Sequence, residues 1–266
     1  MNVRLTIDGG KIVAEPGMTV LDAAGRSGIR IPTLCFHKAF SPNRVCRLCI
    51  VEAEGPGLDH MVTTSCNLKA MEGMVVETAS PRIVAMRKTI LELLLSGTEF
   101  SHPLDELAKA AGICRGKFST GRTDNCILCG LCVRVCTESI GAAALRIETT
   151  GENRYRVAEK IRLLQERCIG CGACAAVCPV AAIRLEDVVS KRNILVYGKI
   201  ANTLDMVPCS MCGTPYATQS FIDSVKGRID CELKKGMKKL CPECSRIVYA
   251  GALAGEFPPD FSGPGR

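Results

Sequence analysis

Tryptophan is absent from this 266-residue sequence, and aromatic residues make up only 4% of it. With so few large rings, one extended core is a poor expectation, although apolar residues reach 47%. No apolar run is long enough to cross a membrane as a helix. The sequence opens on alternating Val3, Leu5 and Ile7, a strand pattern rather than a secretory signal. A glycine-rich dinucleotide fingerprint, a phosphate loop and a Ser-His-Asp arrangement are also missing, so no substrate chemistry is assigned to the chain. The net charge of +7 is modest for the length and fits general solubility or docking on acidic partner surfaces.

What the chain has instead is cysteine, 18 in all. Without an export signal, so many thiols point to a reducing cytoplasm and to metal ligation rather than disulfides. Two runs stand out: Cys126, Cys129, Cys132, Cys136, and then Cys168, Cys171, Cys174, Cys178 followed by Pro179. Both read C-x2-C-x2-C-x3-C, the bacterial ferredoxin spacing. Three thiolates two residues apart can wrap one face of an iron–sulfur cube, while the fourth points toward a neighbouring cube. The expectation is one [4Fe–4S] cluster on Cys126, Cys129, Cys132 and Cys178, and another on Cys168, Cys171, Cys174 and Cys136. Structural zinc prefers two separated pairs and fits these dense runs poorly. Gly130, Gly170, Gly172, Ala173 and Ala175 leave room for backbone amides to approach the sulfides. The stretch resembles a two-cluster ferredoxin domain, with Thr137 where the first run would have its proline.

Residues 1–79 read as a small β-rich domain. Asp8-Gly9-Gly10 turns the first strand back toward Ile12, and Thr19 caps a short helix that ends near Gly28. Cys35, Cys46, Cys49 and Cys66 follow with spacing C-x10-C-x2-C-x16-C. After a hairpin and a helix, that pattern resembles the [2Fe–2S] domain of the complex-I large iron–sulfur subunit and of electron-transfer subunits in NAD-linked hydrogenases. The resemblance implies a β-grasp fold and carries the four ligand roles to Cys35, Cys46, Cys49 and Cys66, with zinc at these positions as the competing reading. His37 is two residues from Cys35, but four thiols already suffice, so a surface role is expected.

Residues 80–118 read as linking helices, with Ile83, Met86, Ile90, Leu93 and Leu94 on one face and Gly97 as the stop. In the complex-I-like family this region holds a further cluster through one histidine and three cysteines. Here Glu106 and Lys109 occupy the places of the first two cysteines and only Cys114 remains, so that cluster is expected to be lost. His102 is then expected to start a helix.

Residues 119–206 form the expected two-cluster domain, with strands near Ala144–Ile147, Tyr155–Val157 and Ile183–Leu185. Residues 207–266 carry Cys209, Cys212, Cys241 and Cys244 as two C-x2-C knuckles, the spacing of a four-cysteine zinc ribbon. A similar tail occurs in some ferredoxin-like subunits of formate hydrogenlyase complexes. Zinc is favoured there over a further iron–sulfur cluster because no ligand triplet is present. An amphipathic helix is expected over Ser220–Val225, a basic turn at Lys234-Lys235, and no regular pattern over Gly255–Pro259. Cys114 and Cys231 are left without a role.

The fold expectation is therefore α+β: a β-grasp [2Fe–2S] domain, linking helices, a two-cluster ferredoxin-like domain and a C-terminal zinc-ribbon-like knob. The cofactors are one [2Fe–2S], two [4Fe–4S] and one zinc. The resemblance implies a non-catalytic electron-relay subunit of a cytoplasmic oxidoreductase. Its partners would be a flavin/NAD(P)-binding subunit and a hydrogenase or formate dehydrogenase catalytic subunit, with soluble ferredoxin as a further candidate. A freestanding polyferredoxin carrier is the alternative, although carriers are usually smaller and acidic. A zinc-dependent nucleic-acid-binding protein ranks last, because stacking aromatics are few and Lys/Arg are scattered.

Overall fold

A computed structural model of the chain describes residues 2–98, 102–113, 118, 124–151, 157–229 and 239–253. The chain forms two compact units. The first contains Met1–Arg134, Ile147–Lys160 and Val177–Ala182, and the second contains Val135–Arg146, Ile161–Ala176 and Ile183–Arg266.

The first unit begins with the hairpin β1 (Val3–Ile7) and β2 (Gly10–Ala14), paired with Leu5 opposite Ile12. Asp8 and Gly9 both take positive φ, 48° and 77°, which gives the two-residue turn whose twist suits a tight hairpin. Alternation then puts Leu5, Ile7, Ile12 and Ala14 on the buried side. The same core receives Val20, Leu21, Ala23 and Ala24 from α1 (Val20–Arg26). Its Thr19 N-cap accepts from the Asp22 N–H at 3.1 Å. Strands β3 (Ile50–Gly55), β4 (Leu58–Thr64) and β5 (Val75–Glu77) complete a five-stranded sheet of order β2-β1-β5-β3-β4. Only the β1–β5 pairing is parallel.

Ser80 caps α2 (Pro81–Ser96), accepting from the Ile83 N–H at 3.2 Å, with proline at the first helical position where no donor is needed. The helix α3 (His102–Ala110) follows, with Leu104 and Ala108 buried and the backbone of His102 at its start. Arg87 on α2 reaches back to the sheet and donates to the carbonyls of Leu48, Ile50 and Thr78 at 2.9, 2.8 and 3.1 Å. Leu48 lies between Cys46 and Cys49, so this guanidinium braces the cysteine loop. Burial lowers its pKa, but as an arginine it remains charged.

A short α4 (Leu131–Arg134) runs directly into a π turn, Val135–Ser139. Strands β6 (Leu145–Thr150) and β7 (Val157–Leu163) pair as a two-stranded sheet, and α5 (Ala173–Ala176) follows the second cysteine loop. In the second unit, β8 (Ile183–Val188), β9 (Lys191–Val196), β10 (Lys199–Pro208) and β11 (Pro215–Thr218) make a sheet of order β11-β10-β9-β8. What reads in the sequence as a bridge over 191–208 is thus two strands of an antiparallel sheet that continues past residue 207. The chain then forms α6 (Gln219–Arg228), the site of the expected amphipathic helix, and α7 (Pro242–Leu253). Cys114, Cys231, Lys234, Lys235 and Gly255–Pro259 lie outside the described residues.

Replacing Arg87 with Met keeps an apolar stem and strips three buried carbonyls of their donor. This variant should lose about 2–4 kcal/mol of stability in denaturant melts of the first unit. An unchanged midpoint would show that water serves these carbonyls equally well.

Candidate metal centres

In the first unit, Cys35, Cys46, Cys49 and Cys66 are all buried. Cys35 follows the apolar Ile31–Leu34 stretch, Cys46 and Cys49 flank Leu48, and Cys66 comes just after β4. Arg44 and Arg47 both sit at φ 56°, in the left-handed region, so the loop doubles back on itself around the thiols. The Cys46 N–H points at Cys35 Sγ, 3.4 Å away. A hydrogen bond from Cys35 draws the Cys46 thiol down to about 6, and one from Cys66 draws Cys49 down to about 7. The donors, Cys35 and Cys66, are pushed up correspondingly. The four thiols therefore stand as two pairs, Cys35 with Cys46 and Cys49 with Cys66.

The two ferredoxin-type runs divide between the units in a telling way. Cys126, Cys129 and Cys132 share the first unit with Cys178, whereas Cys168, Cys171 and Cys174 share the second with Cys136. Electrostatics agrees with this exchange. Burial pushes the Cys129 thiol up to about 12, and the charges of Cys178 and Cys126 add to that shift. Burial likewise raises Cys174 to about 12, with Cys171, Cys168 and Cys136 as the charged neighbours. Each loop bends through left-handed residues, Leu128 and Gly130 in one, Gly170 and Gly172 in the other. Backbone N–H groups turn toward sulfur, from Leu128 to Cys126 Sγ at 3.4 Å and from Ala144 to Cys136 Sγ at 3.2 Å. In the second unit, Cys136, Cys168, Cys171 and Cys174, with Gly170, Gly172 and Ile140, line a cavity of about 380 Å³. Four sulfurs around one such space fit the donor set of a cube.

Asn43 belongs to the loop between Cys35 and Cys46, and its Nδ2 donates to the Cys129 carbonyl at 2.7 Å. Arg134 donates to the Ser41 carbonyl and stacks on the Phe40 ring, 5.0 Å from its centre. The plant-type loop and the first cube loop are thus joined within one unit. No spacing rule in the sequence singles out Asn43, Phe40 or Arg134, because single polar side chains in loops carry no periodic signal.

The tail cysteines come closest together. The Sγ atoms of Cys209, Cys212, Cys241 and Cys244 lie within 4.8 Å of one another, with Cys212 and Cys241 at 3.9 Å. Backbone N–H groups of Met211, Cys241 and Cys244 point at sulfurs across 3.4, 3.3 and 3.4 Å, as in a metal knuckle. Burial pushes the Cys209 thiol up, but N–H groups of Cys212, Cys241 and Met211 outweigh it and bring it down to about 6. Met211, Tyr216 and Leu240 pack around the site.

The expected surface role of His37 fits its environment. It is exposed, its Nδ1 accepts from the Ala39 N–H at 3.2 Å, and its ring lies 5.2 Å from that of Phe40. Glu106 and Lys109 are exposed on the regular helix α3.

Comparison with known proteins gives three domain matches. A 2Fe-2S iron-sulfur cluster binding domain matches residues 1–81, and 4Fe-4S dicluster domains match residues 121–185 and 167–217. An iron–sulfur relative from Rhizobium meliloti, one of the polypeptides of its NADH-quinone oxidoreductase, is 33% identical over 211 residues, covering 68% of this chain and 24% of that protein. The gamma subunit of the NAD-reducing hydrogenase HoxS of Cupriavidus necator is 29% identical over 180 residues, covering 65% of this chain and 64% of that one. A crystal structure of an NAD+-reducing [NiFe]-hydrogenase in its H2-reduced state matches with TM-score 0.51 and 30% identity. That match covers 60% of this chain and 74% of the solved one. The chain spans about a quarter of the length of the oxidoreductase polypeptides it matches, at 24% for the Rhizobium protein. With its 2Fe-2S domain followed by a 4Fe-4S dicluster domain, the chain belongs to the iron–sulfur protein family of these NADH-quinone oxidoreductase and NAD-reducing hydrogenase components.

Proposed function

We propose that the chain is a one-electron relay subunit of a cytoplasmic oxidoreductase. It would connect a flavin/NAD(P)-binding subunit to a hydrogenase or formate dehydrogenase catalytic subunit. When bound, iron–sulfur clusters supply single-electron chemistry, while pyridine nucleotides exchange a hydride and need a flavin to convert between the two. The names of the matched proteins support the partner classes, and the missing dinucleotide fingerprint puts the flavin on another chain.

The observation that carries this reading is the exchange of fourth cysteines, Cys178 toward the first run and Cys136 toward the second, as the two-cluster ferredoxin arrangement requires. We assign Cys126, Cys129, Cys132 and Cys178 to one cube, and Cys168, Cys171, Cys174 and Cys136 to the other. Cys35, Cys46, Cys49 and Cys66 hold a [2Fe–2S] cluster, one thiol pair for each iron. The five-stranded sheet with α1 on its buried face supports the β-grasp assignment. Asn43 and Arg134 keep the plant-type loop against the first cube loop, which favours a direct handover between those two centres.

For the tail, sulfur spacing favours one tetrahedral metal. A Zn–S bond of about 2.3 Å puts sulfurs roughly 3.8 Å apart, close to the observed 3.9 Å contact. A cluster would force iron and sulfide between the thiolates and widen the set. The dicluster match reaching residue 217 favours the competing reading, a further iron–sulfur cluster that includes Cys209 and Cys212. We favour zinc as a structural clamp.

Anaerobically reconstituted protein should carry about ten irons and one zinc. Metal analysis near six irons would remove one cube, and near fourteen would make the tail a cluster site. Cys178→Ser should damage the cube of Cys126, Cys129 and Cys132 more than that of its own run. Spectroscopic damage confined to the Cys168 run would reject the exchanged ligation. The purified chain should show no turnover with hydrogen, formate or NAD(P)H in a dye assay, yet be required once its partners are present. Turnover by the chain alone would overturn the relay.

A further inference from the structure

The two cysteine runs carry different residues at one matched position. Leu128 follows Cys126 by two residues and Gly170 follows Cys168 by two, and both adopt left-handed backbone, at φ 52° and 67°. Since a leucine holds this conformation in the first run, the backbone alone does not demand glycine in the second. Space does. A Cβ on Gly170 would lie 2.6 Å from Thr218 Cγ2 and 2.9 Å from Leu204 Cδ1. Glycine there admits two side chains from β10 and β11, strands that lead into and out of the first C-terminal knuckle.

Thr218 is fully buried, and its hydroxyl is used twice. It donates to the carbonyl of Ile169, inside the second cube loop, and accepts the Phe221 N–H at 3.2 Å as the cap of α6. A second anchor comes from β9. Arg192, held by both oxygens of Asp187 at 2.7 Å each, donates to the Gly170 carbonyl at 3.0 Å. The β10–β11 ladder that carries Thr218 is short, with three paired positions and a bulge at Val207/Pro208. Such a ladder is weak by itself. Its turn is the first knuckle: the Cys209 N–H donates to Thr214 O, and the Gly213 N–H to Cys209 O, both at 2.9 Å. The second knuckle is tied to the same turn where the Ser210 N–H donates to Lys239 O at 2.7 Å. A metal on Cys209, Cys212, Cys241 and Cys244 would close that turn and fix the register of β11.

We propose that the four-cysteine site is a metal-dependent brace for the second cube. Metal at the knuckles holds the β10–β11 hairpin, and Thr218 transmits that order to Ile169 and Gly170 of the loop that wraps the cube. This rests on the cluster assignments above, and its chemistry is structural: thiolates bind one divalent ion, and no electron or group moves at the site. Thr218 is a positioning residue in this scheme.

The test uses the full chain reconstituted with iron, sulfide and zinc, with Cys178→Ser marking the spectrum of the first cube. Thr218→Val keeps the side-chain volume and removes the donor, whereas Thr218→Ser keeps the hydroxyl. Cys241→Ser removes a zinc ligand. In Thr218→Val and Cys241→Ser, the second cube should release its iron to a chelator about ten-fold faster and shift its low-temperature paramagnetic spectrum. The first cube should be unaffected, and Thr218→Ser should behave like the parent protein. If zinc is gone from Cys241→Ser while the second cube is retained as firmly as before, the brace is wrong. Equal loss of both cubes would also overturn it, because general unfolding would then be the cause. Failure of the parent chain to bind two cubes would instead reject the cluster assignments themselves.

Discussion

A buried thiolate is tolerable only beside a cation, and that constraint governs nearly every loop of this protein. Burial alone drives Cys129 and Cys174 up to about 12, so without metal these sulfurs would stay protonated, apolar and poorly ordered. Metal ligation reverses the preference and ties the local fold to the bound ion. The loops then need backbone N–H groups facing sulfur, which explains left-handed residues such as Arg47, Leu128 and Gly170 beside the cysteines. Hydrophobic packing enters elsewhere. Its largest share lies under the first sheet, where Leu5, Ile7, Val20, Val51 and Met74 form a core independent of the later cysteine runs.

Around these centres the chain spends its few buried polar contacts on carbonyl groups of cysteine loops. Arg87 holds Leu48, Asn43 holds Cys129, Arg192 holds Gly170 and Thr218 holds Ile169. A carbonyl with a fixed donor keeps its peptide plane, and hence the neighbouring N–H, in one orientation. For a cluster, peptide orientation and nearby charge are among the means by which a protein sets potential. The supporting residues come from different elements: a helix, a loop and two strands. Each centre is thus tuned by its own surroundings although the ligand motifs are near copies.

The C-terminal segment changes meaning when its strands are followed. In the sequence, residues 207–266 read as a separate knob, since the knuckles are far from the ferredoxin runs. In the fold, β10 passes Val207 without interruption and pairs with β11 beyond the first knuckle. The four thiols sit at the turn of a hairpin whose far end touches the second cube loop. Ligand spacing reveals the metal and says nothing about what that metal supports.

Much of the site was legible from residue order alone, because cluster ligation is local: three thiols two residues apart meet wherever the chain folds. The β1–β2 hairpin, the Thr19 and Ser80 caps and the helix start at His102 were legible for the same reason, each being decided within about four residues. Tertiary structure decided what depends on contacts distant in sequence. Asn43 meets Cys129 across 86 positions, and Thr218 meets Ile169 across 49. Neither residue type has a motif, since any loop polar group can serve once the folded chain presents it. The glycine at position 170 was visible as a small residue near sulfur. Only the packed strands show that it yields its space to Thr218 and Leu204.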